Sequence, residues 1–457
     1  MVTAGSSVEC DVGVLDGKVV QLGGSPHGRR VVDASGALVL PGGIDMHVHL
    51  SLPSAPEPGR PAWVDDFASG SRAAIAGGVS TVGNMTFPWD GQSLRQAVAR
   101  DLAAAAGGAA VDYVLHPVLA SPAAESVAEL PGLAADGHTS VKLFMTMPEF
   151  ESRIDEVISA IRAAGNIGML TLLHCEDGAL VRFAGEQLLA HGRGGVAGWA
   201  ASRPDSAERA AVERAVAICE VTGSPIYIVH LSSAAALESA RRGQARGLPV
   251  FVETRPLYLH LTSAVLAGPE AGKYIGSPPL RESADQQMMW RAAADGTIHT
   301  LGSDHAPWTL EAKTDSALTV LTARQGVADL ETMLPMLFSE GVRTGRISLS
   351  RFVSLISTSP ARLFGLFPRK GTIAVGSDAD LIVFDPQRHK VIDGSAMQSR
   401  AGYSVYDGWD VYGWPRFTIS RGDIVLEDDQ VVAPPGRGQW LHRAAGSQTP
   451  VAFGYQA

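Results

Sequence analysis

Cysteine is scarce in this chain of 457 residues, with only Cys10, Cys175 and Cys219 present. Three thiols without a pairing pattern exclude a disulfide-stapled scaffold and fit a reducing cytoplasm. Positive charge is short too: 37 Lys and Arg against 47 Asp and Glu leave a net charge of -10, so nucleic acid is excluded as an expected partner. No apolar run approaches the roughly 18 residues a membrane helix needs, and the Ala/Gly-rich stretch from Leu102 to Val111 is too short to serve. The opening MVTAGSSVECDVGV has no basic region followed by an apolar core, so no secretory leader and no membrane partner are expected. Internal repeats of about 20 to 50 residues are missing as well. What remains is a globular composition, 46% hydrophobic and 18% charged, with room for two or three average domains or for one large barrel and a satellite.

The stretch most charged with meaning is Leu38 to Leu50, LVLPGGIDMHVHL, an apolar strand that ends in His47 and His49. Alternate residues of a strand share a face, which puts the two imidazoles about 7 Å apart along the chain and able to meet one metal ion. On spacing alone such a pair is more often two solvated histidines. The surrounding run, however, reads as buried on both faces, where an uncompensated imidazole pair is costly.

Short alternating segments with Asp-Gly and Gly-Gly turn signals come first, VGVLDGKVVQLGG and RRVVDASGALVL, and read as hairpin strands. From Ile44 the pattern becomes apolar strand, then Ala-rich helix, repeated. Strands are expected near Ile44–His49, Thr81–Met85, Tyr113–Leu119, Val141–Met145, Leu170–His174, Ile226–His230, Val250–Glu253 and Thr300–Asp304, with helices such as Asp66–Ala76 and Ala207–Val221 between them. Alternating strands and helices pair in parallel through right-handed crossovers, and eight units predict a closed (β/α)8 barrel with its site at the C-terminal strand ends. Past Pro368 short strands return without helices. The expected division is therefore residues 1–40 and 368–457 as the two parts of one small β-sandwich, and 41–367 as the barrel.

Residues of the right chemistry cluster where the barrel puts its site: His47 and His49 on the first strand, Lys142 in the fourth, His174 ending the fifth, His230 the sixth and Asp304 the eighth. A lone strand-end histidine is more often structural, and an aspartate after a strand is commonly a cap or turn former. Five strands so ended are hard to assign to chance. Lys142, flanked by Val141, Leu143 and Phe144, would be costly as a buried cation; desolvation lowers its pKa, and a neutral amine can add CO2 to give a carbamate with two bridging oxygens. A stem-buried lysine with a solvated head is the plainer alternative.

PGGIDMHVHL, SVKLFM, LLHCED, YIVHLSS and GSDHAP together resemble the amidohydrolase superfamily, and within it the cyclic amidases: hydantoinases, dihydropyrimidinases, allantoinases and dihydroorotases. The resemblance also covers VETRPLYLHLT, SPPLR, PARLFGLFPRKGTIAVGSDADLIVFDP and SVYDGWDVYGWPRFTISRGDIV, the last two being most like hydantoinases and dihydropyrimidinases. It implies two divalent metal ions, zinc by preference, the more buried held by His47, His49 and Asp304, the more exposed by His174 and His230, and both bridged by N6-carboxylated Lys142. It implies that a hydroxide shared by the ions opens a hydantoin-like or dihydropyrimidine-like ring, with Asp304 as the catalytic proton carrier. Ser277 in SPPLR would grip the ring, and Gln325 stands nearest to a second such position. A homodimer or homotetramer is implied by the same likeness.

One departure stands out, because the similar enzymes carry an oxyanion-binding tyrosine five residues after the bridging lysine and this chain has Met147 there. EPGRPAWVDDF resembles allantoinases, which keeps an allantoinase-like or other cyclic ureide or imide hydrolase as the alternative. Dihydroorotases place an arginine directly after the paired histidines; here Leu50, Ser51 and Leu52 follow, leaving Arg60 and Arg255 as cations for an acidic group or, more ordinarily, for ion pairs. A metal-free dihydropyrimidinase-like scaffold is the alternative of another class. Such scaffolds have lost ligands, and all six positions are present here.

Overall fold

The segment that runs into the paired histidines is a strand with every residue buried, Gly43–Val48. The computed structural model describes residues 1–444. Its short N-terminal strands are β1 (Val12–Leu15), β2 (Lys18–Leu22) and β3 (Leu38–Pro41). Eight parallel strands follow: β4 (Gly43–Val48), β5 (Val79–Thr86), β6 (Asp112–Pro117), β7 (Ser140–Phe144), β8 (Leu170–His174), β9 (Ile226–Ile228), β10 (Val250–Thr254) and β11 (Thr300–Leu301). They pair in chain order as β4-β5-β6 and β7-β8-β9-β10-β11. Leu119 N donating to Lys142 O at 2.8 Å joins the two groups on one side. Asp304 N to His47 O and His49 N to His305 O, each 2.9 Å, close them on the other. The expected eight-stranded barrel is present.

Two strands stop earlier than their apolar runs suggest. β9 ends at Ile228 and β11 at Leu301, and a few residues on His230 (φ 40°) and Asp304 (φ 51°) take the left-handed conformation. A non-glycine residue there costs of order 1–3 kcal/mol and persists only where its surroundings hold it. Both residues belong to the cluster described below.

The helices that cover the barrel form where the pattern places them. Phe67–Ala76 begins at Asp66, whose carboxylate accepts from Ala68 N and Ser69 N at 2.9 Å. Asp205–Thr222 ends at Gly223, where φ is 68°. No helix among the described residues is long and apolar enough to cross a membrane. Ile44, Met46, Val114, Leu170, Leu172, Tyr227 and Phe251 fill the interior together with Phe364 and Leu441. Each such side chain stabilises the fold by about 1.5–3 kcal/mol through burial. This packing confines the histidine cluster to the C-terminal strand ends.

Beyond the barrel lie β12 (Leu381–Val391), β13 (Asp410–Ser420), β14 (Asp423–Glu427) and β15 (Gln430–Val431). They form a sheet in the order β15-β14-β13-β12-β3, so both chain ends share one layer. The β1–β2 hairpin turns at Asp16-Gly17, with φ of 49° and 76°, and packs Val19 on Ile373, Ala379, Leu381 and Ile419. Lys370 ties this layer to the barrel through Asp112 and Asp380, both at 2.6 Å. After β15 the described chain leaves the sheet: Leu441 N donates to Tyr113 O at 2.9 Å, and Arg443 is buried against Ser140.

Candidate metal centre

His47, His49 and Asp304 meet at the closing seam of the barrel. Nε2 of His47 and Nε2 of His49 lie 3.2 Å and 3.0 Å from Asp304 Oδ1. Ligand atoms of the three are all within 4.8 Å of one another. His174 and His230 form a second pair, Nδ1 to Nε2 at 3.0 Å, and the His230 ring stands 5.3 Å from that of His47. Between the elements carrying the pairs, Lys142 is fully buried with an Nζ that has no hydrogen-bond partner. The five strand ends named from the sequence therefore deliver all six groups to one place.

Burial sets the protonation of this cluster. It pushes His47 and His230 well below the ordinary imidazole range, His174 below it, and Lys142 down to about 8. Neutral imidazoles and a neutral amine are the forms that bind metal ions or react with CO2. Asp304 goes the other way: burial alone would raise it, but Arg255, His47 and His49 hold it well below the usual carboxylate range. Nη1 of Arg255, itself fully buried, lies 2.9 Å from Asp304 Oδ2 and leaves Oδ1 to face the histidines. Arg60 pairs with exposed Glu57 instead.

Two carboxylates outside the six predicted groups orient the histidines. Glu253, at the end of β10, accepts from His47 Nδ1 at 2.8 Å, Tyr227 OH at 2.8 Å and His230 N at 3.0 Å. Glu176, two residues after His174, accepts from His174 Nε2 at 2.7 Å, Arg203 at 2.8 Å and Ser277 Oγ at 2.7 Å. Each fixes a tautomer, so His47 turns an unprotonated Nε2 towards Asp304 and His174 an unprotonated Nδ1 towards His230. Burial pushes Glu253 up to about 7; at Glu176 the same effect is overruled by Arg203 and His174, which hold it low. A carboxylate placed on the far nitrogen of a ligand histidine was the available signal. Glu253→Gln is expected to lower affinity for the first ion by about tenfold to a hundredfold, measurable by competition with a chromophoric chelator. An unchanged affinity would remove Glu253 from this role.

Around the opening, aromatic rings run from one pair to the other. Trp63 lies 4.9 Å from His49, Phe87 6.0 Å from His49 and 5.7 Å from Phe144, and Phe144 5.5 Å from His174. Trp308 adds an edge contact to Trp63 at 6.5 Å. Ser277 is buried with its hydroxyl committed to Glu176, so its backbone is what remains for a ligand. Gln325 is exposed, on a segment bonded to the Ser277 loop by Gly326 N to Ile275 O at 3.1 Å. Met147 is half-buried and lines a cavity of about 210 Å³ with Met145, Thr146, Phe150, Asp177 and Arg182, just past the ends of β7 and β8.

Residues 38–425 match the amidohydrolase family model. The chain belongs to the amidohydrolase family. Amidohydrolases are metal-dependent, and in this one the His47–His49–Asp304 group offers a set of ligands. It is 37% identical over 450 residues to a D-hydantoinase of Rhizobium radiobacter, covering 97% of each chain. Among solved structures, this amidohydrolase resembles the D-hydantoinase of Bacillus sp. AR9 with a TM-score of 0.92 at 36% identity, covering 97% of this chain and 98% of that one. The L-hydantoinase (dihydropyrimidinase) of Arthrobacter aurescens gives 0.87 at 30% identity, with 97% and 98% covered.

Proposed function

We infer that this amidohydrolase is a metal-dependent hydrolase that opens a cyclic amide, a hydantoin-like or dihydropyrimidine-like ring. The gathering of six ligand-type groups in one buried cluster at the strand ends, in a chain alike over 97% of its length to a hydantoinase, carries the reading. We assign His47, His49 and Asp304 to one ion, His174 and His230 to a second, and carboxylated Lys142 to both. The orphaned Lys142 Nζ supports this, since a buried amine without a partner is costly and a carbamate would bind what surrounds it. The donor set suits zinc, and divalent ions held there would supply Lewis acidity and a water acidic enough to react near neutral pH.

The protein's own groups do the rest. Asp304, kept ionised, takes a proton from the attacking water and passes it to the departing amide nitrogen, which cannot leave as an anion. Backbone groups of the Ser277 and Gln325 segments hold the ring. Trp63, Phe87 and Phe144 receive its substituent, so rings bearing flat or bulky apolar groups are favoured over unsubstituted dihydrouracil. Free thiols at Cys10, Cys175 and Cys219 support a cytoplasmic setting. A homo-oligomer is proposed on the likeness to hydantoinases, and the exposed Val14, Leu15, Val20 and Leu22 of the β1–β2 hairpin offer an apolar surface for it. The division into a sandwich of 1–40 with 368–457, the latter including a tail, and a barrel of 41–367 is proposed on the sheet shared by β3 and β12; residues 445–457 lie outside the described ones.

A turnover screen over hydantoin, 5-substituted hydantoins, dihydrouracil, allantoin, dihydroorotate and cyclic imides tests the reading. Allantoin is included because the allantoinase-like segment from Glu57 to Phe67 sets Trp63 against His49. Opening of none of these rings by metal-loaded protein would end it. Met147 supplies a thioether and no proton to donate. Met147→Tyr is therefore expected to raise kcat on unsubstituted hydantoin about tenfold or more with little change in KM. Fast wild-type turnover of dihydrouracil, with the variant no better, would show that another donor already serves.

A further inference from the structure

Lys313 is a lysine buried to 1% exposure with no carboxylate partner among the described residues. It closes the short helix Leu310–Lys313, nine residues beyond Asp304. Its Nζ donates instead to three backbone carbonyls: Ile275 O at 2.5 Å, Arg324 O at 2.7 Å and Gly326 O at 2.8 Å. Three acceptors require three N–H donors, and an ammonium has three. Burial, aided by the nearby Arg255, nevertheless pushes this lysine well below its ordinary range. A cation buried in this way is costly to keep, so the contacts it makes are where its purpose lies.

Those contacts bind together two segments far apart in sequence. One is Ile275–Ser277, the other Arg324–Gly326, and they carry the two residues assigned to the ring. Gly326 N to Ile275 O at 3.1 Å is a second link between them. Neighbouring carbonyls are tied down as well, Gly276 O by Trp199 Nε1 at 2.8 Å and Gln325 O by Trp308 Nε1 at 2.7 Å. Gly326 has φ of 115°, and a Cβ on it would stand 2.2 Å from Ala306 O, so the second segment passes close behind Asp304 and His305. Nothing in this arrangement allows one segment to shift without breaking a bond to the other.

We propose that Lys313 is a positioning residue for substrate: its buried Nζ clamps the Ile275–Ser277 and Arg324–Gly326 segments into the one relative placement that receives a cyclic amide. This rests on the functional reading above. A clamp acting on ring-holding backbone should govern binding more than chemistry, because the metal ligands make no bond to Lys313.

The test uses full-length, metal-loaded protein, with Lys313→Met as a side chain of similar length lacking donors. Hydrogen exchange of peptides covering 274–278 and 323–328 is expected to speed up at least about tenfold in both, while β7 and β8 exchange as in the wild type. KM for 5-phenylhydantoin should rise about tenfold to a hundredfold with kcat changing less than about tenfold, and metal content should be unchanged. If Lys313→Met does not fold, Lys313→Gln, which keeps two N–H donors, carries the same measurements with intermediate values. Unchanged exchange in both segments, or a loss confined to kcat, would overturn the proposal. Wild-type protein that opens no cyclic amide would sink the functional reading instead, while the exchange measurement would still decide on the clamp.

Discussion

Lys142→Ala is expected to lose the second ion and at least about three orders of magnitude in kcat/KM. Two cations a few Å apart repel strongly unless an anion lies between them, and the buried Lys142 amine, once carboxylated, would supply one. Bicarbonate with a short-chain carboxylic acid should restore part of the activity by placing a carboxylate in the vacated space. A pH effect goes with it. Carbamate formation needs the neutral amine, and with a pKa of about 8 rather than 10.5, about one amine in ten is neutral at pH 7. The proton blocks the reaction below that pKa, so reconstitution of metal-free protein with zinc at a fixed concentration of dissolved CO2 should quicken as pH rises towards 8 and level off above it. Rates that fall over this range, or a Lys142→Ala variant with two ions and full turnover, would contradict the assignment.

Asp304→Asn should be nearly as damaging, with kcat lower by about a hundredfold to ten-thousandfold, because an amide can still offer an oxygen to an ion but cannot carry a proton. It also separates two roles. Arg255 is fully buried 2.9 Å from Asp304 Oδ2, and neutralising its partner leaves a guanidinium without compensation, so the metal-free variant should melt at a lower temperature. Adding Arg255→Met to Asp304→Asn should recover much of that stability and none of the turnover. Recovery of turnover would show that the proton is carried elsewhere.

Most of the barrel was legible because its strands are buried on both faces, which gives short apolar runs such as those of β8 and β9. The ligand set was legible for a related reason: an ionisable group interrupting such a run has few uses other than chemistry. The groups behind the ligands were harder. Glu253 inside β10 and Glu176 just after β8 carry no periodic signal of their own, and only their placement on His47 and His174 distinguishes them. Lys313 carried no signal, since its partners are carbonyls of Ile275, Arg324 and Gly326, and every residue has a carbonyl. The return of Leu441 and Arg443 to the barrel was hidden for want of any period in so short a segment. The positive φ at His230 and Asp304, beyond the early ends of β9 and β11, is not announced by the apolar pattern of those runs.

Metal analysis of active protein tests the central claim most directly. Protein purified without chelators, shown to open 5-phenylhydantoin and then measured by mass spectrometry of its elements, should contain close to two divalent ions per chain. Turnover should fall with metal content on dialysis against a chelator and return with zinc. Full activity in a sample with no bound metal would contradict the account.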